Sequence, residues 1–329
     1  MTIDRVLLVG LGSIGRRHLV NLRVLLPDAK IMVLRSRESS EIVDGCLIVS
    51  SLQKAIDFQP QVAFICNPSS CHIEVASVLA EADIHLFIEK PLSNNLERLD
   101  SFEAQVKANN TTVMVGYNLR FNPSLNALRE LLISQKYGRA LYVVAEVGQY
   151  LPDWRPDSDY RLNVSAKADL GGGALLELSH ELDYLCWLFG DPIKASGQLM
   201  KVSDLDIDVE DLVMAQVDFG DADNPVKSSI HLDFLQRKPY RSCRVVCESA
   251  TLVWNAIEDR LEIYQADEVT VAYQGDKERN STYEKEIVSF LNAIKLKIAP
   301  PVSLSDGVRV MKLVDAIRKS SELARVVYL

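Results

Sequence analysis

The sequence predicts an α/β protein in which a doubly wound parallel sheet is followed by an α+β domain with an open, mostly antiparallel sheet. Three observations support this fold class. The first 120 residues alternate short apolar runs with amphipathic helical stretches, which is typical of strands covered by helices on both faces. A glycine-rich turn follows the first apolar run. Later in the chain, several strands follow one another without long helices between them, and such strands usually pair antiparallel.

The apolar runs that predict strands in the first part occupy residues 6–9, 31–34, 46–49, 62–66, 85–88 and 112–115. The helical patterns between them lie at residues 14–26, 73–82 and 96–109. This alternation predicts right-handed crossovers between parallel strands. The later part predicts a helix over 124–134, a strand over 141–147, a helix over 174–188, several strands between 195 and 273, and helices over 282–297 and 305–324. Ser303 and Ser305 are the candidate caps of the last helix.

Length and composition fit two globular domains. The chain has 329 residues, and the change of pattern predicts an N-terminal domain over 1–119 and a C-terminal domain over 120–329. The net charge of −9, from 36 basic and 45 acidic residues, argues against nucleic acid or an anionic membrane as the partner. No apolar stretch approaches the roughly 18 residues that a membrane span needs, so we expect a cytoplasmic protein.

The cysteines and histidines do not predict a metal site. The six cysteines are scattered without a C-x-x-C pair, and the chain has five histidines. A zinc site needs several such ligands close together. We therefore interpret the cysteines as small buried hydrophobic residues and predict no metal.

Gly10, Gly12 and Gly15 form the pattern G-x-G-x-x-G directly after the first predicted strand. In a dinucleotide-binding turn the first glycine permits the tight turn, the second lets the pyrophosphate approach the backbone, and the third lets the helix pack on the strand. Free N–H groups at the helix start, which includes Ser13 and Ile14, then bind the phosphates. The N-terminal domain is therefore predicted to be a Rossmann domain that binds a nicotinamide dinucleotide.

Arg35, Ser36 and Arg37 follow the second predicted strand, where an acidic residue usually binds the ribose 2′-hydroxyl of NAD. Two guanidinium groups with a hydroxyl between them suit a 2′-phosphate. The sequence therefore favours NADP(H) as the cofactor, with NAD(H) as the alternative if these arginines are only solvated surface residues.

Two further segments end strands at the edge of the sheet where ligands bind. Asn67 and Pro68 end the fourth strand, with His72 at the start of the next helix, and Glu89 and Lys90 end the fifth strand. We predict that these residues contact the cofactor. Lys90 is also placed to donate or accept a proton or to bind a substrate hydroxyl. The alternative for Lys90 is a surface ion pair with its neighbour.

Glu177, His180 and Asp183 are spaced three residues apart on the helix that follows the glycine run 171–173. This spacing places them on one broad face. Because the ordinary pKa of histidine lies near neutrality, His180 can take and return a proton when an alcohol is oxidised. The alternative is an ordinary polar stripe. His18, on the first helix, is expected to serve packing, capping or cofactor contacts.

Together these segments resemble the Gfo/Idh/MocA oxidoreductases, the family of glucose–fructose oxidoreductase and inositol dehydrogenase. Four motifs in the same order carry the resemblance: the glycine fingerprint ending at His18, the segment 67–72, the tripeptide 89–91, and the glycine run followed by His180 and Asp183. The resemblance implies hydride transfer between nicotinamide and a carbinol or keto carbon of a sugar or sugar derivative. It implies that Lys90 polarises the reacting oxygen and that His180 is the acid/base.

One position departs from the family's pattern. The family commonly has an aspartate four residues before the histidine, where this chain has Leu176, and Glu177 lies three residues before it. Glu177 is the candidate to replace that acid. In the family the outer face of the second sheet commonly makes oligomer contacts, so the resemblance also implies a homodimer or homotetramer.

The loop before the helix that carries His180 is aromatic and charged, a composition that suits a sugar ring or a sugar-linked phosphate. A loop that is merely solvated is the alternative. The predicted substrate contacts, here and where the two domains join, are Lys90, Asn118, Arg120, Trp154, Arg155, Tyr160, Arg161 and Asp183.

The first choice of function is an NADP(H)-preferring sugar dehydrogenase or reductase. A nucleotide-linked sugar, as in surface-polysaccharide biosynthesis, is a finer hypothesis. The second choice is a cofactor-retaining glycosidase or isomerase, which returns the hydride within each turnover. The third is a non-catalytic NADP(H)-binding sensor, whose only support in the sequence is the altered acid before His180.

Overall fold

The protein forms two compact units in a computed structural model that describes residues 2–35, 43, 45–276, 278 and 280–329. One unit consists of Met1–Tyr117 and Asn280–Val308, and the other of Asn118–Arg279 and Arg309–Leu329. The domain prediction placed everything after residue 119 in the second domain. The segment Asn280–Val308 is compact with the first unit instead, because its apolar face packs there.

The first unit contains a six-stranded parallel sheet, as the alternation of apolar runs and helices predicts. Its strands are β1 (Arg5–Val9), β2 (Lys30–Leu34), β3 (Leu47–Val49), β4 (Val62–Ile65), β5 (His85–Glu89) and β6 (Val113–Gly116). Their order is β3-β2-β1-β4-β5-β6, so the direction of winding reverses between β1 and β4. Ligands bind outside the carboxyl ends of the strands at such a reversal.

The α-helices within the described residues are α1 (Ser13–Leu25), α2 (Leu52–Asp57), α3 (His72–Glu81), α4 (Leu99–Ala108), α5 (Pro123–Ile133), α6 (Ala174–Glu177), α7 (His180–Phe189), α8 (Asn280–Leu296) and α9 (Leu304–Leu323). The predicted cap of α9 is present, since Ser303 Oγ accepts the N–H of Asp306 at 3.2 Å. Among the residues that the structure describes, no helix is both long and apolar enough to cross a membrane.

An aromatic cluster explains why α8 belongs to the first unit. Phe290 on α8 meets Phe64 on β4 and Phe87 on β5 with ring centroids 5.8 Å apart in each case. The two strand rings stack on each other at 5.0 Å. All three side chains are fully buried, and burying aromatic rings of this size is a large favourable contribution.

The second unit contains a nine-stranded, mostly antiparallel sheet. Its strands are β7 (Ala140–Gly148), β8 (Pro192–Met200), β9 (Leu212–Phe219), β10 (Val226–Asp233), β11 (Tyr240–Cys247), β12 (Thr251–Asn255), β13 (Arg260–Gln265), β14 (Glu268–Gln274) and β15 (Val327–Tyr328). Their order is β14-β13-β12-β11-β7-β10-β9-β8-β15, and among these described strands only β7 and β10 pair in parallel. In β9, Val213, Ala215 and Val217 are buried, whereas Met214 and Gln216 are exposed. This alternation shows that one face of the sheet is covered and the other is open.

The single helix predicted over residues 174–188 is divided into α6 and α7. Leu178, between them, has φ −102° and ψ 23°, outside the helical region. The N–H of Ser179 bonds the carbonyl of Leu176, and the N–H of Glu181 bonds the carbonyl of Leu178. These i→i+3 bonds tighten the chain into a turn. Glu177 therefore ends one helix and His180 begins the next, so they do not share one continuous helical face.

Candidate active site

The glycine turn after β1 has the geometry of a dinucleotide-binding loop. Gly10 has φ +86°, and a Cβ there would lie 2.8 Å from the backbone nitrogen of Asn67. A Cβ on Gly15 would collide with the carbonyl oxygen of Gly10. At Gly12, by contrast, a Cβ would meet no described atom within 4 Å. Two of the glycines are therefore needed for packing, and the third lies beside open space that a pyrophosphate can enter.

The start of α1 is open to an anion. Gly12 is its N-cap, and within the described part of the chain no side chain caps it and no acidic residue lies in its first turn. The N–H groups of Ser13 and Ile14 are in the first turn of a 13-residue helix, where partial positive charge accumulates. The residues present thus fit the pyrophosphate of a dinucleotide.

The predicted segments after β4 and β5 lie close together. The ring of His72, at the start of α3, is 3.0 Å from the carbonyl oxygen of Pro91 through Nδ1 and 2.8 Å from that of Asn67 through Nε2. Burial lowers the pKa of His72, and the two carbonyls oppose that shift. His72 therefore ties the two loops to each other. The buried Oδ1 of Asn67 has no hydrogen-bond partner among the described residues, so it is an acceptor that a bound ligand can satisfy.

The predicted 2′-phosphate residues are described only in part. Arg35 directly follows β2, is partly buried, and donates its backbone N–H to the carbonyl of Val49 at 2.9 Å. Ser36 and Arg37 lie outside the described residues. Because β2 neighbours β1, Arg35 leaves the sheet at the same edge as the glycine turn.

Lys90 directly follows β5, with Glu89 buried before it and Lys90 partly exposed. One oxygen of the Glu89 carboxylate, Oε1, is 2.5 Å from Nε2 of His18, and the other accepts the backbone N–H of Lys90 at 3.1 Å. The sequence left open a surface ion pair between Glu89 and Lys90 as the alternative. Because Glu89 is only 6% exposed, it does not form a pair of that kind.

In the second unit, Arg120 and Asp183 form a buried ion pair. The guanidinium donates from Nε to both carboxylate oxygens at 2.9 and 3.2 Å, and from Nη2 to Oδ1 at 2.6 Å. The side chains are 4% and 1% exposed. Both residues were predicted to contact substrate, as was Asn118, which is 7% exposed. The pair joins the turn Asn118–Phe121 to α7, which carries His180.

The glycine run shapes the chain that leads to His180. A Cβ on Gly172 would collide with the carbonyl oxygens of Val164, Ser165 and Lys167, and Gly173 has φ +103°. His180 follows as the first residue of α7 and is 9% exposed. Glu177 is partly buried, and its Oε2 accepts a hydrogen bond from Ser165 Oγ at 2.9 Å.

Two side chains at this site were not predicted. Leu176, at the family's acidic position, is 1% exposed, so it is part of the apolar core. Glu210 caps the start of α6 by accepting the N–H of Leu175 at 2.9 Å, and its carboxylate occupies the space where a Cβ on Gly173 would lie. Burial raises the pKa of Glu210. No local pattern marks this residue in the sequence, because its partners lie about 35 residues away along the chain.

The predicted substrate loop contains several internal contacts. Trp154 donates its Nε1–H to the carbonyl of Gln149 at 3.1 Å and packs edge-on against Phe234. Tyr160 accepts the N–H of Asp206 through its hydroxyl at 3.2 Å. The exposed Arg161 pairs with Asp159 at 2.7 Å, and the hydrogen bonds from Arg161 lower the pKa of Asp159. Arg155 is exposed. Their role as substrate contacts stays a prediction.

The fold and these loops define a class: two-unit proteins with a dinucleotide-binding parallel sheet and a second unit built on a large mixed sheet. Residues 5–117 match the model of the GFO/IDH/MocA oxidoreductase family, described as an NAD-binding Rossmann fold, and residues 125–253 match the model of the GFO/IDH/MocA C-terminal domain. The chain belongs to the Gfo/Idh/MocA oxidoreductase family.

Individual relatives agree with this assignment. Myo-inositol 2-dehydrogenase of Thermotoga maritima is 25% identical, over 99% of this chain and 98% of that protein. Levoglucosan dehydrogenase in complex with NADH has a TM-score of 0.86 at 22% identity, covering 98% of each chain. The WlbA dehydrogenase of Bordetella pertussis, in complex with NADH and UDP-GlcNAcA, has a TM-score of 0.84 at 20% identity, over 100% of this chain and 99% of that one. These structural likenesses confirm the predicted fold.

Proposed function

We propose that this protein transfers a hydride between a nicotinamide coenzyme and a carbinol or keto carbon of a sugar or sugar derivative. The observation that carries the proposal is the place of Lys90, which follows β5 at the sheet edge where the glycine turn also lies. Relatives named as dehydrogenases of myo-inositol and levoglucosan support a polyhydroxylated substrate.

The coenzyme would be held by the first unit. The N–H groups of Ser13 and Ile14 would bind its pyrophosphate where Gly12 leaves open space. A donor group of the coenzyme would form a hydrogen bond with the buried Oδ1 of Asn67. When bound, the nicotinamide ring accepts the hydride in the oxidation direction and supplies it in the reduction direction.

The remaining chemistry is proton transfer and charge stabilisation. During oxidation the carbinol C–H bond breaks, and its hydrogen leaves with both electrons as a hydride. The hydroxyl proton passes to His180, and a C=O bond forms. Lys90, as an ammonium, donates a hydrogen bond to the reacting oxygen and stabilises the negative charge that develops there. In the reverse direction His180 returns the proton. Glu177, whose carboxylate accepts a hydrogen bond from Ser165, is the candidate to replace the family's aspartate.

NADP(H) is the preferred coenzyme in this proposal, because Arg35 directly follows β2, where an acidic residue usually binds the ribose of NAD, and the sequence has no carboxylate there before Glu38. The test is a titration with NADPH and with NADH, followed by the fluorescence of the reduced nicotinamide. We expect NADPH to bind at least about tenfold more tightly, or about 1.4 kcal/mol, and Arg35→Ala to remove most of that preference. Equal or reversed affinities in the unmodified protein would assign NAD(H) instead.

The substrate class is tested with a panel of free sugars, cyclitols and nucleotide-linked sugars, each with NADP⁺ and NAD⁺. Formation of reduced nicotinamide with at least one member is the expected result. A nucleotide-linked sugar is the finer proposal, supported by the likeness to the WlbA structure, which contains UDP-GlcNAcA. Turnover of free cyclitols without turnover of nucleotide-linked sugars would remove that finer proposal. Turnover without net nicotinamide reduction would indicate a cofactor-retaining reaction.

The open face of the second sheet supports a homo-oligomer. Large side chains are exposed on it, among them Tyr142, Met214, Tyr240 and Tyr264. Exposed apolar and aromatic surface of this kind often marks an interface. Light scattering at micromolar concentration is expected to give the mass of a dimer or tetramer, and the mass of a monomer would contradict this part of the proposal.

A further inference from the structure

A buried group of three ionisable side chains in the first unit includes Glu89, the residue before Lys90. One nitrogen of His18 on α1 and one oxygen each of Glu89 on β5 and Glu286 on α8 lie within 4.8 Å of one another. His18 and Glu286 are 0% exposed and Glu89 is 6% exposed. The sequence placed His18 only as a packing, capping or cofactor residue, and nothing in it marked Glu286.

The side chain of Glu286 has no obvious structural use. Neither oxygen of its carboxyl group has a hydrogen-bond partner among the described residues, and the same is true of Nδ1 of His18. A buried polar group without a partner is costly. Its presence beside a second carboxyl group therefore calls for a specific role.

Glu89 connects this group to Lys90. Its Oε1 is bound to Nε2 of His18, and its Oε2 accepts the backbone N–H of Lys90. On the neighbouring strand, a Cβ on Gly116 would lie 3.2 Å from both carboxylate oxygens. The carboxylate is thus enclosed, and its hydrogen bond with the N–H of Lys90 joins it to the backbone at that residue.

We propose that Glu89 is a positioning residue for Lys90, and that the contact with His18 holds its carboxylate in place. This inference rests on the proposed function, because it concerns how the reactive lysine is held. A second ionised carboxylate so close to Glu89 would repel it and compete for His18. A neutral carboxyl group at position 286 leaves Glu89 as the single anionic partner of the imidazole.

The surroundings of Glu286 support its neutral form. Among the described residues, the ionisable groups near Glu286 are His18, Glu89 and the thiol of Cys66, which directly follows β4. Tyr283, on the same helix as Glu286, packs against the ring of His18. Burial raises the pKa of Glu286 well above its ordinary value, and the charge of Glu89 adds to the rise. The pKa of the Cys66 thiol is also raised well above its usual range, first by burial and then by these two glutamates.

A divalent cation fits this group less well than a proton does. Two ligands of one such ion, each about 2.0–2.2 Å from it, are about 3 Å or more apart. The contact between His18 Nε2 and Glu89 Oε1 is instead a direct hydrogen bond between imidazole and carboxyl groups, which leaves no room for an ion between these two atoms.

The test measures the reactivity of Lys90 itself, without any substrate. The full-length protein and its variants are treated with an amine-acylating reagent, and the labelling rate of each lysine is followed by peptide mass spectrometry. Lys54, exposed on α2, is the internal reference. We expect Glu89→Gln to change the labelling rate of Lys90 several-fold. Gly116→Ala, which presses on the Glu89 carboxylate without changing any charge, should do the same even if Glu89→Gln folds poorly.

Two further variants separate positioning from simple packing. Glu286→Gln, which copies the shape of the neutral acid, should leave the labelling of Lys90 unchanged. Phe290→Leu alters the aromatic cluster with Phe64 and Phe87. This variant should lower the stability of the protein but leave the labelling rate of Lys90 unchanged. Unchanged labelling in both Glu89→Gln and Gly116→Ala, or an effect of Glu286→Gln as large as that of Glu89→Gln, would overturn the inference. Full turnover in Lys90→Ala would instead refute the proposed function. The labelling rates would still decide whether Glu89 positions Lys90.

Discussion

The ion pair between Arg120 and Asp183 gives the sharpest prediction about stability. Both side chains are almost fully buried, and three hydrogen bonds of 2.6–3.2 Å join them. Removing one partner of such a pair leaves an uncompensated buried charge and costs about 3–5 kcal/mol. We therefore expect Arg120→Met to lower the free energy of unfolding of the second unit by about that amount.

The assay is urea unfolding followed by tryptophan fluorescence, with the double variant Arg120→Met/Asp183→Leu as the decisive comparison. Because replacing both charges with apolar groups is often neutral or stabilising, the double variant should recover most of the loss. The exposed pair of Arg161 and Asp159 is the matched control, and Asp159→Asn should have no measurable effect. A loss of less than about 1 kcal/mol in Arg120→Met would refute the assignment of a buried, structural pair.

Three further predictions concern the coenzyme loop, the glycine run and a histidine of the second sheet. Gly12→Val should abolish detectable NADPH binding in the fluorescence titration while leaving the melting temperature nearly unchanged, because the added side chain enters open space that the pyrophosphate needs; retained binding would contradict the placement. Gly172→Ala should destabilise the protein in thermal unfolding, because its Cβ would collide with carbonyl oxygens of residues 164, 165 and 167; an unchanged melting temperature would contradict this. The hydrogen bond to Asp233 raises the pKa of His231 above its ordinary value of 6.5, so the stability that His231 contributes is fully present below that pH and is lost as the pH rises through the higher folded-state pKa. His231→Gln should therefore lower the free energy of unfolding more at about pH 5.5 than at about pH 8.5, and an equal or opposite difference in urea titrations would contradict it.

The parallel sheet could be predicted from sequence because its determinants are local. Runs such as Val6–Val9 are apolar throughout, and only strands covered on both faces require that pattern. The glycine fingerprint could also be recognised from its local spacing, although Gly10 in addition makes room for the backbone of the distant Asn67. Because Asn67 and Lys90 follow neighbouring parallel strands, the strand order alone predicts that they lie at the same edge of the sheet.

The features that were not predicted depend on contacts between distant segments. A helical pattern over residues 174–188 could not reveal the break at Leu178, because the i→i+3 turn there leaves the polar spacing unchanged. Arg120 and Asp183 were both selected as substrate residues, but their 63-residue separation hid the ion pair between them. The return of α8 to the first unit rests on Phe290 meeting Phe64 and Phe87. The apolar pattern of a helix does not indicate which of two sheets the helix will cover.

The central claim is that Lys90 and His180 perform proton chemistry on an alcohol while a nicotinamide coenzyme exchanges the hydride. The most direct measurement is the rate of nicotinamide reduction by the best substrate of the panel, compared among the wild type, Lys90→Ala and His180→Asn. Affinity for NADPH is measured in parallel. We expect kcat to fall by about 10²–10⁴-fold in both variants, while His180→Asn binds NADPH as the wild type does. Turnover at the wild-type rate in either variant, with the coenzyme bound, would contradict it.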